Sequence, residues 1–176
     1  MGDFVHLHTH SHYSLLDGLG KIPELVAQTK ALGMDALALT DHGVLYGAIE
    51  FYQQCKAQGI KPIIGIETYV ALGSRFDKRA QVDNDYYHLI LLATNYQGYK
   101  NLLHLSTQAH LEGYYYKPRV DWELLEQYHE GIIALSACLG GHMAREIVSG
   151  TSDTKLKEIV AQHQRVFGRN NYFFEL

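Results

Sequence analysis

Residues 35–43 read Asp35-Ala-Leu-Ala-Leu-Thr-Asp-His-Gly43. From Ala36 to Leu39 the apolar residues run on without alternating with polar ones. A strand of that kind is covered on both faces, as in a parallel sheet flanked by helices. The run then gives way to Thr40, Asp41 and His42 before a glycine. Polar side chains therefore gather where the strand ends, and in α/β barrels the carboxyl ends of the strands are where sites are built.

The same unit recurs on either side. Upstream, helical spacing predicts a helix over 23–32, with Pro23 in its first turn and Gly33 as its stop. Downstream, a helix is expected over 46–57, ending at Gly59. Further strands are expected over 61–71, 87–94, 131–136 and 172–176, and a first one over 4–9. Helices are expected over 99–111, after a cap at Asp121, and over 154–167. Alternating strand and helix means an α/β architecture. Repeats of about 30 residues suit a (β/α) barrel. A full eight-unit ring takes roughly 250 residues, so the strands in this chain fall short of closing one. The expectation is a barrel cut before its last strand. Its open edge beside Phe173 and Phe174 would be covered by a neighbouring molecule or by rearranged local segments.

Composition sets the outer bounds. A length of 176 residues suits one domain spanning 1–176. With 47% hydrophobic and 19% charged residues the chain is globular. A net charge of −4 argues against a protein that coats nucleic acid, while leaving room for a local basic groove. No apolar run approaches the roughly 18 residues of a membrane span. The first residues lack the pattern of a secretory signal. Cys55 and Cys138 make no disulfide framework, so a cytoplasmic location is expected. The unusual residue is histidine: there are 11, and His6, His8, His10 and His12 crowd one short segment.

That segment alternates. A period of two places His6, His8 and His10 on one side of an extended chain, where neighbouring imidazoles can reach one metal ion. A purification tag would be contiguous; this run is not, and it flows into Tyr13-Ser-Leu-Leu-Asp-Gly18. His8 and His10 are therefore read as ligands, while His6 and His12 stay open. His42 ends the 35–40 strand beside Asp41 and a glycine turn, which suits a ligand oriented by its neighbours. Glu67 lies inside Ile63-Ile-Gly-Ile-Glu-Thr-Tyr-Val70, where a carboxylate is costly unless paired or metal-bound. His88 opens Leu89-Ile-Leu-Leu92, and Cys138 follows the 131–136 strand, where it is either a small buried hydrophobe or a thiolate ligand. Their recurrence at successive strand ends points to a cluster of divalent ions. Mixed His, carboxylate and thiolate ligands suit zinc, and manganese or iron fit His and carboxylate alone. Such clusters cleave phosphate esters.

The stretches Phe4–Gly18, Leu39–Gly43, Gly59–Glu67 and Leu135–Leu139 resemble the PHP (polymerase and histidinol phosphatase) domain. The likeness extends to Phe51-Tyr52, Gly98-Tyr-Lys-Asn-Leu102 and Gly113-Tyr-Tyr-Tyr-Lys-Pro-Arg119. Those segments mark the branch at the amino terminus of bacterial replicative polymerases of the DNA polymerase III alpha type. The resemblance implies a distorted seven-stranded TIM-like (β/α) barrel with up to three metal ions at the strand ends. It implies His8, His10, Asp17, His42, Glu67, His88 and Cys138 as ligands, with His6 and Asp41 behind them. It also implies a closing Asp and His beyond Leu176, and hence a chain that is the first part of a much longer DNA-directed DNA polymerase.

The activity implied is a metal-dependent phosphoesterase, a 3′–5′ exonuclease that proofreads DNA. Its partners would be the primer 3′ end, the rest of the polymerase chain and replicase accessory subunits, with no membrane. Two alternatives stand beside it. One is a silent scaffold that stabilises the polymerase and docks a proofreading subunit. The other is a small-molecule phosphatase of the histidinol phosphate type, which the branch-specific segments oppose. Tyr114, Tyr115, Tyr116, Lys117 and Arg119 form a basic, aromatic loop suited to single-stranded DNA ends or to packing on the polymerase. Arg75, Lys78 and Arg79 read as a mobile basic loop.

Overall fold

The computed structural model describes residues 4–176. Helices α1 (Ile22–Ala31), α2 (Ala48–Gln58), α3 (Tyr96–Leu111), α4 (Trp122–Gln127), α5 (His142–Val148) and α6 (Asp153–Phe167) alternate with a seven-stranded sheet. The strands are β1 (Ala36–Leu39), β2 (Lys61–Ala71), β3 (Tyr86–Ala93), β4 (Tyr114–Tyr115), β5 (Lys117–Val120), β6 (Ile132–Leu135) and β7 (Tyr172–Phe173). Local chemistry sets the helix ends. Pro23 sits in the first turn of α1, and Gly59 ends α2 with φ 75°. Asn95, Asp121 and Ser152 cap α3, α4 and α6 by accepting the N–H of Gly98, Leu124 and Lys155.

The sheet is mixed, not all-parallel as expected. β2 pairs antiparallel with β3, and β3 antiparallel with β6. β1 and β5 run parallel along β2, and β7 parallel to β6. The reason lies in the connections. Residues 72–85 join β2 to β3 without a helix, and a parallel pair needs a crossover of a dozen or more residues, usually helical. The first expected strand is also not regular. Residues 4–9 run beside β1, where Ala38 N–H donates to His6 O and Thr40 N–H to Thr9 O, both at 2.9 Å. Thr9 N–H goes instead to the Thr40 hydroxyl, so a side chain replaces one rung. The last strand is shorter than expected, and Phe173 and Phe174 are about half exposed, so no segment among the described residues fully covers them.

Strand parity divides the core. Ile66, Leu89, Leu91 and Ala134 face one side, packed with Leu102, Leu105, Leu124 and Val166 of the helices. Ala38, Ile90, Leu92 and Leu135 face the other. Glu67 pairs with Ile90, Tyr69 with His88, and His42 bridges Glu67. Directly paired residues project to the same face. Register therefore places Glu67, His88 and His42 on one surface, next to the apolar residues of the inner side.

Candidate metal centre

Glu67 is the hub. It is buried, with 1% of its side chain exposed, and imidazoles approach both oxygens. Oε2 lies 2.8 Å from His10 Nε2, 3.0 Å from His42 Nδ1 and 3.3 Å from His8 Nε2. Oε1 lies 2.5 Å from His88 Nδ1. Three of these atoms, Glu67 Oε1, His42 Nδ1 and His88 Nδ1, are buried without a hydrogen-bond partner among the described residues. They are close, but the angles are not those of hydrogen bonds. Buried polar atoms left in that state are uncommon and call for a ligand.

The donors form three overlapping groups: His8, His10 and Glu67; His10, Asp17 and His42; His42, Glu67 and His88. In each, the donor atoms lie within 4.8 Å of one another. A metal bonded at about 2.1 Å separates its ligand atoms by about 3.0–3.4 Å in octahedral or tetrahedral geometry. Around Oε2 the separations of 3.0 Å to His42 and 3.3 Å to His8 fall on that edge, and the 2.8 Å to His10 is shorter. Nitrogen and carboxylate donors fit zinc, manganese or iron.

The electrostatics say the same. Burial alone would raise the pKa of Glu67, but His10, His42, His8 and His88 outweigh it and hold the carboxyl well below the usual range. Burial would lower that of His8, yet bonds to Glu175 and Glu67 carry it up to about 10. For His42, too, burial is outweighed by Glu67 and Asp17, and its pKa is raised. Asp17, 2.5 Å from His42 Nε2, is held below its ordinary value chiefly by that contact. Protons thus gather where cations would sit.

The other expected residues fall in different places. Asp41 is buried and accepts from Ser11 N–H at 2.7 Å, Ser11 Oγ–H at 2.8 Å and Ser14 Oγ–H at 2.7 Å. His6 is exposed, its ring edge-on to Phe4 at 4.8 Å, and it joins none of the donor groups. Cys138 is exposed on the turn after β6 and, among the described residues, also joins none of them. Lys117 holds Nζ over the Tyr69 ring at 5.3 Å, and Tyr69 stacks on His42 at 5.8 Å.

Arg119 is a correction. Expected as a DNA contact, it is fully buried and donates to the carbonyls of Gly113, Arg75, Asp77 and Asp83 at 2.5–3.2 Å. The supposed mobile loop is also anchored. Arg75 is buried and paired with Asp121 at 2.9 Å and Glu112 at 2.7 Å, and Arg79 with Asp83 at 2.9 Å.

Two residues escaped the sequence reading. Glu175 accepts from His8 Nδ1 at 3.1 Å, while its own N–H donates to Ser136 Oγ at 2.9 Å. The signal was available: Glu175 is a carboxylate in the apolar run Tyr172–Leu176, just as Glu67 is in its own run. Ser14, 2.9 Å from His10 Nδ1, carried no such signal.

A buried carboxylate ringed by imidazoles on a mixed α/β sheet makes donor groups that could hold a metal ion. The sequence matches the PHP domain family over residues 6–176, and the chain belongs to that family. It is 51% identical over 174 residues to the DNA polymerase III subunit alpha of Treponema pallidum, covering 98% of this chain and 15% of that protein. To the same subunit of Aquifex aeolicus it is 49% identical over 176 residues, 97% of this chain and 15% of that one. The chain thus spans about 15% of the length of these curated relatives. Among solved structures it is similar to a two-domain protein from Bacteroides vulgatus containing a predicted PHP-like metal-dependent phosphoesterase. The match covers 90% of this chain and 41% of that one, at 15% identity and a TM-score of 0.47.

Proposed function

We propose that this chain is the PHP domain of a bacterial replicative DNA polymerase and acts there as a metal-dependent 3′–5′ exonuclease on primer ends. One observation carries the reading: four imidazoles converge on buried Glu67, and three of the converging atoms make no hydrogen bond among the described residues. A scaffold without chemistry has no need to bury such a cluster.

His8, His10, Asp17, His42, Glu67 and His88 would hold up to three ions, of zinc, manganese or iron; Cys138, which is exposed, joins none of the donor groups among the described residues and is left out. Bound ions of this kind supply an activated water and charge stabilisation for phosphate-ester cleavage. The protein supplies position. Glu67 links two of the donor groups, and His42 offers one ring nitrogen to each of two groups. Tyr69 walls the site beside His42, and Lys117 above it offers a cation for a backbone phosphate. Tyr115, paired with Lys117 across the β4–β5 hairpin, would meet a base.

The test is metal analysis together with a nuclease assay on 3′-mismatched primer DNA, with and without His8→Ala and His10→Ala. Metal uptake and mismatch removal that both disappear in the variants support the reading. Metal uptake without nuclease activity supports the scaffold. Hydrolysis of histidinol phosphate in preference to DNA supports the small-molecule phosphatase.

A further inference from the structure

The hydrogen bonds behind the ligands can be counted, and Ser14 stands at their crossing. Its Oγ touches three groups: Asp41 Oδ1 at 2.7 Å, His10 Nδ1 at 2.9 Å and the backbone nitrogen of His42 at 3.1 Å. A hydroxyl has one proton to give and two lone pairs to receive. Asp41 is a carboxylate that already accepts from Ser11 N–H and Ser11 Oγ–H, so it receives the Ser14 proton. The backbone N–H of His42 takes one lone pair. The remaining lone pair faces His10 Nδ1, so that nitrogen carries the hydrogen and donates it. A metal bound between these groups would then meet the lone pair of His10 Nε2, the nitrogen that faces Glu67 and His8.

We infer that Ser14, held by Asp41, is the positioning residue of this centre: it fixes the tautomer of His10 and ties His10 to the His42 backbone. Ser11, Ser14 and Asp41 are 0–1% exposed, so water cannot substitute for any of these bonds. The arrangement joins ligands from two separate segments through one oxygen. It also accounts for Gly18. The turn that carries Ser14 closes with Gly18 N–H on Ser14 O at 2.8 Å, and a Cβ at Gly18 would meet Ser11 O at 1.8 Å. Partners that orient metal-bound histidines are worth about 10–100-fold in metal affinity.

This role rests on the metal-centre reading above, and the test separates the two. Zinc uptake by the metal-free protein is measured by competition with a chelating indicator, for the wild type and Ser14→Ala. The tautomer of the His10 ring is read from long-range ¹H–¹⁵N spectra of the zinc-loaded protein. Zinc affinity is expected to fall about 10–100-fold in Ser14→Ala, measured at a temperature where the metal-free variant, destabilised by the lost hydrogen bonds, is still folded by its circular dichroism. His10 is expected as the Nδ1–H form in the wild type, with a smaller share of that form in the variant. Equal zinc affinity in the two proteins overturns the role of Ser14 alone. No zinc uptake by the wild type overturns the metal centre, and this role with it. If Ser14→Ala does not fold, the wild-type spectrum still decides, because an Nε2–H ring at His10 in the zinc-loaded protein overturns the assignment.

Discussion

Glu67 and His8 show what a single residue contributes here. Without a metal, the charge of Glu67 raises the pKa of His8 and of His42, and His8 is held up to about 10 by Glu175 and Glu67. A ligand nitrogen must lose that proton before it can bind a cation. The sign follows: metal binding releases a proton, and apparent affinity rises with pH below about 10, by about tenfold per pH unit for each proton displaced. Calorimetric zinc titrations at pH 8 in buffers of different ionisation heat should therefore show at least one proton released per zinc. No release would remove His8 from the ligand set. His163 gives the opposite case, far from the metal centre. It is buried, stacks on Tyr172 at 4.4 Å and is bonded through Nδ1 to Ile159 O at 2.8 Å. Burial lowers its pKa to about 4. A depressed folded-state value means that its contribution to stability is full above pH 6.5 and is lost as pH falls toward 4. The loss is about 3 kcal/mol at most. Urea unfolding at pH 7 and pH 4.5 should show His163→Phe losing less stability than the wild type across that interval. Equal losses would show that His163 is not the group being charged.

At the scale of elements, the unexpected feature is the loop 72–85, which turns the chain back to make β3 antiparallel to β2. Arg119, from β5, holds that loop by donating to the carbonyls of Arg75, Asp77 and Asp83. Arg75 in turn reaches Asp121, the cap of α4. Arg119→Met removes every one of these donors and leaves buried carbonyls unpaired. A loss of about 3 kcal/mol or more is expected, together with rapid proteolytic cleavage within 72–85; unchanged stability and protease resistance would contradict it. Helix ends were legible in the sequence because caps and stops are local: Asp121, Pro23 and Gly59 act on their own turns. The antiparallel reversal was not, because apolar strands of either sense read alike. The β4–β5 hairpin was hidden for a related reason. Its turn residue Tyr116 takes φ 59°, a conformation usually signalled by Gly or Asn, so the segment reads as an aromatic loop. Within the site, His8 and His10 were legible because they alternate with period two, Glu67 because it interrupts an apolar run, and His42 and His88 because they stand at the ends of apolar strands. Ser14 was not, since a serine in a turn is ordinary until its partners are known.

Across the whole molecule, the donors come from segments far apart in sequence: residues 8–17 before α1, His42 after β1, Glu67 in β2 and His88 in β3. The unfolded chain does not hold these groups together, so a cation that binds them binds the folded state. Such binding adds about 2.7 kcal/mol at a free metal concentration 100 times the dissociation constant. For a domain of this size that corresponds to a rise of about 5–10 °C in melting temperature. The rise should saturate with zinc and reverse with a chelator. Glu67 belongs to two of the three donor groups, so Glu67→Gln should lose most of the shift. In the metal-free state the same variant should lose the charge that raises His8 and His42, bringing both back toward ordinary histidine values. A zinc-dependent shift that survives intact in Glu67→Gln would place the ion elsewhere, and an absent shift in the wild type would mean that these imidazoles gather for the carboxylate alone.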